Sequence, residues 1–404
     1  MSSVVDPTSR VVKCLTPHPY IVKAGEGVQV DRKNRVRKRS QEKVLQVLMS
    51  PGPDKLTDNP SLLLLFSEVV RHGVTISSCA RKKNLLSRPD VIHIHFPEWL
   101  IRWKRPWLAP LDVVVILGLL WLARRRGAAL VWTGHDLEPH ELSRPRLWRA
   151  YNRFFISQVD LLISFSEGAK SLLVERHSRL AGVPTVVVPH GHYRDHYTAP
   201  PKAAILRKEL KLDHRPVLLC FGLIRPYKNL PGIICAWRQL PEPRPQLLIA
   251  GRPMDSEIAE VIKKEAGEAK DVHLLLRFIH GDEVPTIFAT ADVVLMPYMA
   301  RSALNSGVAH LALSLSRPAV LNATPANQNL RDVFGGEWVW LCDGTPEDAL
   351  RTALAAAAVT RPETLDLDAI NNKRLAAETV CAYSDAIARR GSKAGHKKTN
   401  RGRG

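Results

Sequence analysis

Two cationic side chains follow an apolar run near the middle of the chain. The run at 217–221 ends at Gly222, and Arg225 and Lys228 come just before a helix-like stretch at 231–240. A guanidinium can bind two phosphate oxygens at once, an ammonium adds a point charge, and helix N-terminal amides favour the same anions. The spacing therefore predicts a diphosphate-binding loop, although a pair of solvated loop cations would show the same pattern.

A second group of residues suited to phosphate lies further along the chain. Asn305, Ser306 and Gly307 precede another helix-like stretch. Backbone amides at the start of a helix and a hydroxyl beside them can both donate to a phosphate. We predict that these three residues contribute to the same anion-binding site.

Histidines and carboxylates follow several apolar runs in the first half of the chain. One histidine in such a place is more often structural than catalytic, but the carboxyl ends of parallel strands meet at one sheet edge, where ligands bind. His93 and His95 would share one face of a strand, which also permits a metal site, but no third ligand has a suitable spacing. The histidines and carboxylates that follow these apolar runs are His95, Glu98, His135, Asp136, Glu167, His190 and His192.

The elements that would position these residues alternate between strands and helices. Short apolar runs bounded by Gly, Pro or Asp alternate with helix-like stretches, which is typical of parallel sheets covered on both faces. We therefore predict an α/β fold with two domains, 44–195 and 196–388, whose strand ends face each other across a cleft. The predicted strands are 43–51, 90–97, 129–136, 159–166, 185–191, 216–222, 246–251, 272–278, 292–298 and 318–324.

The formal net charge of +19 is concentrated at the two ends of the chain. Residues 1–43 carry +6 and residues 389–404 carry +7, and both segments have few apolar residues. We predict a mobile basic arm and a disordered basic tail, which would contact an anionic membrane or another polyanion, or stay solvated. No helix-turn-helix, zinc or aromatic-platform pattern indicates a specific nucleic-acid partner.

An apolar stretch at 108–123 is the strongest candidate for contact with a membrane. It is too short to span a bilayer and contains Pro110 and Asp112. It is either a buried helix or a helix resting on a bilayer, and "RWKRPW" at 102–107 suits a membrane interface. Because no signal peptide is visible and the six cysteines are scattered, we expect a cytoplasmic protein that reaches the inner face of the cell membrane.

Five segments, taken in order, resemble one family. They are "TGHD" (133–136), "ISFSEGAKSLL" (163–173), "VVVPHGHY" (186–193), "FGLIRPYKN" (221–229) and "VHLLLRFIHGDEVPTIFATADVVLMPY" (272–298). Over roughly residues 44–360 the chain resembles the retaining glycosyltransferases of the GT-B fold, the glycosyl transferases group 1. The resemblance implies two Rossmann-like domains, with a last helix that can cross back onto the first domain.

The same resemblance implies a hexosyltransferase. A sugar would move from a nucleotide diphosphate sugar in the C-terminal domain to a saccharide or lipid-linked acceptor in the N-terminal domain. We expect no resident cofactor and no metal, and a role in the synthesis of cell-surface polysaccharide or glycolipid. A basic, Trp-containing surface favours a lipid-linked or anionic acceptor, and its arginines beyond 102–107 are Arg144, Arg146, Arg149 and Arg153.

The resemblance also assigns roles to single residues. His135 matches a histidine that lies beside the donor sugar and helps to align the reacting carbon. Asn59, in the loop after the first strand, would approach the donor diphosphate. Gly222 and His190 are further residues of the cleft.

The chain departs from the family at one place. Ala303 and Leu311 stand where the family carries two glutamates eight positions apart. The stereochemical outcome, which is retention in the family, is therefore open. If the transfer inverts configuration, Asp136, Glu98 or Glu141 would be the general base that takes the proton of the acceptor hydroxyl.

Alternative functions stay open at this point. The missing glutamates could mark a subfamily that uses "NSG" instead, or a noncatalytic relative. A nucleotide-sugar epimerase of the same fold would need no acceptor. A polyanion-binding protein would act through its basic arms, and it would lose all binding if both arms were removed.

Overall fold

The computed structural model describes residues 44–399, except 80–81, 103–104, 106, 139–143 and 298–303. The predicted basic arm at 1–43 and the last five residues lie outside the described residues. Two positions singled out above, Glu141 and Ala303, lie outside them as well.

The first half of the chain is built around a parallel sheet. Its elements are β1 (Gln46–Ser50), α1 (Pro60–Arg71), β2 (Thr75–Ser78), β3 (Val91–Ile94), α2 (Ala109–Arg125), β4 (Ala129–Thr133), α3 (Pro145–Gln158), β5 (Leu161–Ser164), α4 (Glu167–Arg176) and β6 (Thr185–Val187). The strand order is β2-β1-β3-β4-β5-β6. Every residue of β3, β4 and β5 is buried, because helices cover both faces of the sheet.

The second half repeats this arrangement. Its elements are α5 (Ala203–Glu209), β7 (Val217–Phe221), α6 (Leu230–Arg238), β8 (Gln246–Ala250), α7 (Ser256–Ala266), β9 (Val272–Leu275), α8 (Val284–Thr290), β10 (Val293–Met296), α9 (Gly307–Ser314), β11 (Ala319–Asn322), α10 (Pro325–Phe334), β12 (Val339–Cys342), α11 (Pro346–Ala357) and α12 (Asn372–Thr399). The strand order is β12-β11-β10-β7-β8-β9, again with parallel pairing.

The two six-stranded parallel sheets confirm the predicted α/β class. Each predicted strand contains an observed one, but β2 and β12 were not predicted. Both are short strands at a sheet edge. β2 is the polar sequence Thr-Ile-Ser-Ser and lacks the apolar run of a buried strand, whereas β12 has the apolar sequence Val-Trp-Leu-Cys and was missed although it shows such a run.

The last helix crosses back onto the first sheet. Leu375 and Tyr383 of α12 are fully buried in one core cluster with Val47 and Val131 of β1 and β4. The helix continues to Thr399, so the prediction of a disordered tail from residue 389 is wrong for 389–399. The tail begins on an anchored helix: Arg390 Nη2 donates to the Arg124 carbonyl at 2.8 Å.

Helix α2, the apolar stretch discussed above, covers the first sheet with one face only. Ile116 and Leu120 on that face are almost fully buried. The buried Asp112 forms an ion pair with Arg102, from its Oδ2 to the Nε at 2.8 Å. In the part of the chain that the structure describes, no helix is both long enough and apolar enough to cross a membrane.

The two halves approach closely where α4 meets α10. The amide of Gly168, near the start of α4, donates to Asn329 Oδ1 of α10 at 2.7 Å. A Cβ atom at Gly168 would lie 2.4 Å from the Pro325 carbonyl oxygen, so a larger residue would force the helices apart. This contact helps to hold the ends of the two sheets next to each other.

Candidate active site

The cation loop, residues 222–228, connects β7 to α6. Gly222 has a φ of +90°, a left-handed conformation that glycine adopts at little cost. Lys228 turns back under the loop, and its Nζ donates to the Phe221 carbonyl at 2.9 Å. Arg225 is half-buried. The structure therefore brings both predicted cations to one strand end, with Lys228 on the inner side.

Burial governs the charge of Lys228. The residue is 5% exposed, and burial lowers its pKa from 10.5 to about 8. Cys220 opposes this shift and the positive charge of Arg225 adds to it. An anion bound beside Lys228 would favour its charged form again.

The N-terminus of α9 lies against the cation loop. A Cβ atom at Gly222 would lie 3.5 Å from both Lys228 Nζ and Val308 Cγ2, on the first turn of α9. Helix N-terminal amides and a lysine ammonium both stabilise a nearby anion. The junction of loop and helix is thus suited to bind a phosphate group.

Asn305, Ser306 and Gly307 form the entry to α9. The Ser306 hydroxyl accepts from the Ala309 amide at 3.3 Å and so caps the helix. We predicted that this hydroxyl meets a phosphate; its oxygen accepts from the helix and its O–H points to Met296 Sδ at 3.7 Å, so the phosphate contact stays a prediction. Asn305 is half-buried and Gly307 is exposed, so they and the first amides of α9 stay the predicted phosphate-facing groups.

His190 links the first half of the chain to α9. Its ring packs against that of His310 in a tilted arrangement, with 4.5 Å between the centroids. Its Nδ1 donates to the Gly191 carbonyl at 2.8 Å, and its Nε2 accepts from the Tyr193 hydroxyl at 3.3 Å. Burial first, and then His310, hold the pKa of His190 well below its ordinary value. A neutral ring bonded at both nitrogens positions its neighbours rather than exchanging protons.

The histidine edge consists of His95, Glu98, His135 and Asp136, which follow β3 and β4. His95 Nδ1 and His135 Nε2 are 2.8 Å apart, so one nitrogen donates to the other. The His135 ring also packs on Phe96, at 4.4 Å between centroids. Burial is the main cause that holds the pKa values of both histidines well below the ordinary range; repulsion from His93 adds to it for His95, and repulsion from His95 adds to it for His135. Both rings are therefore neutral at pH 7.

Glu98 is the group of this edge that is suited to exchange a proton. Burial raises its pKa from 4.5 to about 7; its own backbone amide opposes the shift, and the charge of Asp136 adds to it. A carboxyl group with a pKa near the working pH is an effective general base or acid. Glu98, His95, His135 and Asp136 also line one small pocket.

Tyr227 connects the histidine edge with the cation loop. Burial is the main cause of its raised pKa, which the positive charge of Arg225 lowers and the negative charge of Asp136 raises. Because both charges affect the Tyr227 hydroxyl, Arg225 and Asp136 both lie near this residue. The structure thus brings together groups that the sequence placed 89 positions apart.

The loop after β1 also reaches this region, but Asn59 has a different contact from the predicted one. Asn59 Oδ1 accepts from the Leu62 amide at 3.4 Å and caps α1. Two residues on, the Ser61 side chain forms a hydrogen bond with Tyr193. The Tyr193 hydroxyl in turn lies 3.1 Å from the place of a Cβ atom at Gly307. Sequence reasoning missed Ser61, which no local motif marks, and it assigned no role to Tyr193, although this residue ends the segment "VVVPHGHY".

His93, considered above as a metal ligand, has both ring nitrogens in use. Its Nδ1 lies 2.8 Å from the Tyr383 hydroxyl, and its Nε2 lies 2.7 Å from Thr133 Oγ1. Within the described ranges, no three His, Cys, Asp or Glu side chains are grouped to hold a metal ion. His93 therefore joins α12 to the first sheet.

Comparison with known proteins connects this geometry to a family. Residues 215–359 match the family described as Glycosyl transferases group 1. A GDP-mannose:glycolipid 4-beta-D-mannosyltransferase of Xanthomonas campestris is 28% identical over 87% of this chain and 95% of its own length. A GDP-mannose-dependent alpha-(1-6)-phosphatidylinositol monomannoside mannosyltransferase of Mycolicibacterium smegmatis is 27% identical over 71% of this chain and 73% of its own length.

Solved structures agree on the fold. Anabaena HepE in complex with UDP and glucose has a TM-score of 0.56 and 16% identity, covering 88% of this chain and 100% of its own. The catalytic domain of starch synthase IV from Arabidopsis thaliana, bound to ADP and acarbose, has a TM-score of 0.53 and 15% identity over 81% and 77%. The match over residues 215–359 and the similarity to the two mannosyltransferases support a group 1 glycosyltransferase, and the solved structures show the GT-B fold.

The family match covers one side of the glycosyltransferase site and not the other. The cation loop and α9 lie inside residues 215–359, whereas the histidine edge lies outside them. Leu311, at the position of the family's second glutamate, is 6% exposed and packs in the core of the second sheet. An apolar buried side chain there cannot take the place of a glutamate that binds a substrate.

Proposed function

We propose that this glycosyltransferase moves a mannosyl group from GDP-mannose to a glycolipid, in the synthesis of glycolipid or cell-surface polysaccharide. The observation that carries the proposal is the meeting of the cation loop with the N-terminus of α9, where Gly222, Lys228 and Val308 lie together. The names of the Xanthomonas and Mycolicibacterium relatives support the donor and the lipid-linked acceptor.

On the donor side, the diphosphate would lie between Arg225, Lys228 and the first amides of α9. Negative charge grows on the diphosphate as the bond to the sugar breaks, and fixed positive groups are most effective where charge develops. Since these groups supply that charge, we propose that the donor reacts without a resident cofactor or metal ion. His135 would contact the sugar and keep its reacting carbon in line.

On the acceptor side, we propose Glu98 as the general base of an inverting transfer. Its carboxylate takes the proton of the acceptor hydroxyl, the oxygen bonds to the anomeric carbon, and GDP leaves with the electrons of the broken bond. The Xanthomonas relative is named for a β-linked product, and a β product from the α-linked mannose of GDP-mannose requires inversion. The missing glutamate pair of the retaining family agrees with this outcome.

We also propose peripheral contact with an anionic membrane through the outer face of α2 and the residues before it. Arg125 lies over the Trp121 ring, 4.6 Å from its centroid, and such pairs suit a lipid interface. The exposed large apolar side chains of this surface are Trp99, Trp107, Leu111, Val114 and Trp121. Binding to vesicles with anionic lipid, and weaker binding of a Trp107→Ser/Trp121→Ser variant, would support it.

The proposed transfer can be tested with GDP-mannose, UDP-glucose and a bacterial glycolipid extract. We expect mannosylated lipid from GDP-mannose only, with a β anomeric signal in the NMR spectrum of the product. An α-linked product would contradict the inverting mechanism. Conversion of the donor sugar without any acceptor would instead favour an epimerase.

A further inference from the structure

A second charged cavity lies next to the histidine edge. It has a volume of about 270 Å³ between α3 and the C-terminal end of α4. We call it the arginine cavity, because four arginine side chains line it: Arg149, Arg153, Arg176 and Arg179. The arginines are exposed, while the floor contains the buried residues Trp148 and Asn152.

The charges of the arginine cavity are not balanced. Glu138 is the one carboxylate that lines it among the described residues, and it pairs with Arg176. Arg179 Nη1 donates to the Arg153 carbonyl at 3.3 Å, which holds one guanidinium in place. Arginine forks match the oxygens of a phosphate, so a concave group of them is suited to a phosphate or diphosphate.

The floor of the cavity offers a contact for a sugar. Asn152 is 7% exposed, and its Oδ1 has no hydrogen-bond partner in the described part of the chain. A buried acceptor atom without a donor costs stability, and a ligand that brings a hydroxyl would satisfy it. The cavity thus combines groups for an anion with a group for a saccharide hydroxyl.

The position of the cavity relates it to the acceptor. Trp148, Asn152 and His177 line both the arginine cavity and the small pocket that contains Glu98 and His135. An anion in the arginine cavity would therefore lie directly beside the hydroxyl that Glu98 deprotonates. The diphosphate of the donor has its own place at the cation loop.

We propose that the arginine cavity binds the phosphate or diphosphate group of a lipid-linked acceptor. This inference rests on the proposed glycosyl transfer, and it names the chemical class of the second substrate. The anion anchors the acceptor, and the attached sugar extends from the cavity toward Glu98. A lipid with an uncharged headgroup would lack this anchor.

The experiment uses the full chain and two soluble probes, farnesyl diphosphate and inorganic pyrophosphate. Calorimetric titrations compare the wild type, Arg225→Ala, Arg149→Gln/Arg153→Gln and the control Arg238→Gln. Arg238 lies at the end of helix α6 and is exposed, and it does not line the cavity. Melting temperatures check that each variant is folded.

We expect farnesyl diphosphate to bind Arg225→Ala and Arg238→Gln as it binds the wild type, and Arg149→Gln/Arg153→Gln at least tenfold more weakly. In transfer assays, the double variant should raise the acceptor KM at least tenfold and leave the donor KM unchanged. Loss of nucleotide binding in Arg225→Ala tests the donor site separately.

Three results would overturn the inference. The first is equal binding of farnesyl diphosphate to the double variant and the control. The second is binding that disappears only in Arg225→Ala, which would assign the probe to the donor site. The third is binding of pyrophosphate without farnesyl diphosphate, which would indicate a free-anion site rather than an acceptor site.

Discussion

The cation loop and the histidine edge contain buried charges of opposite sign. Burial lowers the pKa of Lys228 to about 8 and raises that of Glu98 to about 7. In each case burial disfavours the charged form, so each group can change its protonation state near neutral pH. The two sides of the site therefore have different roles in the proposed transfer. On the donor side a bound anion would restore the charge of Lys228, and on the acceptor side Glu98 would receive a proton.

The largest expected effect concerns the histidine edge. Glu98→Gln keeps the size of the side chain but removes the base, so we expect kcat to fall about 10²–10⁴-fold with nucleotide binding unchanged. Steady-state kinetics and nucleotide titration measure the two quantities. Glu175→Gln, which changes an exposed carboxylate on α4, is the matched control. Full activity of Glu98→Gln would assign the base elsewhere.

The same carboxyl group predicts the pH dependence of the rate. Because the base must be ionised and the pKa of Glu98 is raised to about 7, kcat/KM should fall about tenfold per pH unit below pH 7. The residual kcat/KM of the Glu98→Gln variant should not show this fall below pH 7. A rate that stays constant from pH 8 to pH 5 in the wild type would exclude Glu98 as the base.

A smaller effect is expected from the partner of His135. His95→Phe removes the hydrogen bond between His95 Nδ1 and His135 Nε2, so we expect kcat to fall about tenfold while the donor KM changes little. In His95→Asn, an amide can take the place of Nδ1 and should retain most of the activity. Equal losses in both variants would indicate a packing role instead of a positioning role.

The smallest effect concerns stability and the cation loop. Lys228→Met removes a buried ammonium, so we expect the unfolding free energy at pH 7 to rise by about 1–2 kcal/mol while diphosphate binding is lost. Between about pH 8 and pH 10.5 the unfolded wild type binds more protons than the folded one, so wild-type stability rises with pH there. The advantage of Lys228→Met should therefore shrink across this window.

Urea unfolding at pH 7 and pH 9.5 measures this effect, with the exposed Lys264→Met as the control. If Lys228→Met is less stable than the wild type at pH 7, the hydrogen bond to the Phe221 carbonyl outweighs the cost of burying the charge.

The two sides of the site differ in how far the sequence could predict them. Arg225 and Lys228 lie three positions apart in one loop, so a local pattern indicates their shared role. Tyr193, Ser61 and His310 come together from three distant segments, and their contacts depend on how α1 and α9 pack. No spacing rule reports such contacts.

The features of the fold that the sequence did not predict have similar physical causes. The buried strands of both sheets have apolar runs, whereas the edge strand β2 lacks one and was missed. Asn59 and Ser306 are predicted substrate contacts, and the structure shows that both side chains also cap helices. Asn and Ser favour both roles, so residue type alone does not separate a helix cap from a ligand contact.

One measurement tests the account most directly: calorimetric titration of UDP, GDP and ADP into the wild type and Arg225→Ala. The account predicts saturable binding of one nucleotide, GDP, and at least a tenfold weaker affinity in Arg225→Ala. An exposed arginine on α6, Arg238→Ala, should bind like the wild type. Binding of the nucleotide that is equally strong in Arg225→Ala, or no nucleotide binding at all, would contradict the claim that the cation loop holds the donor diphosphate.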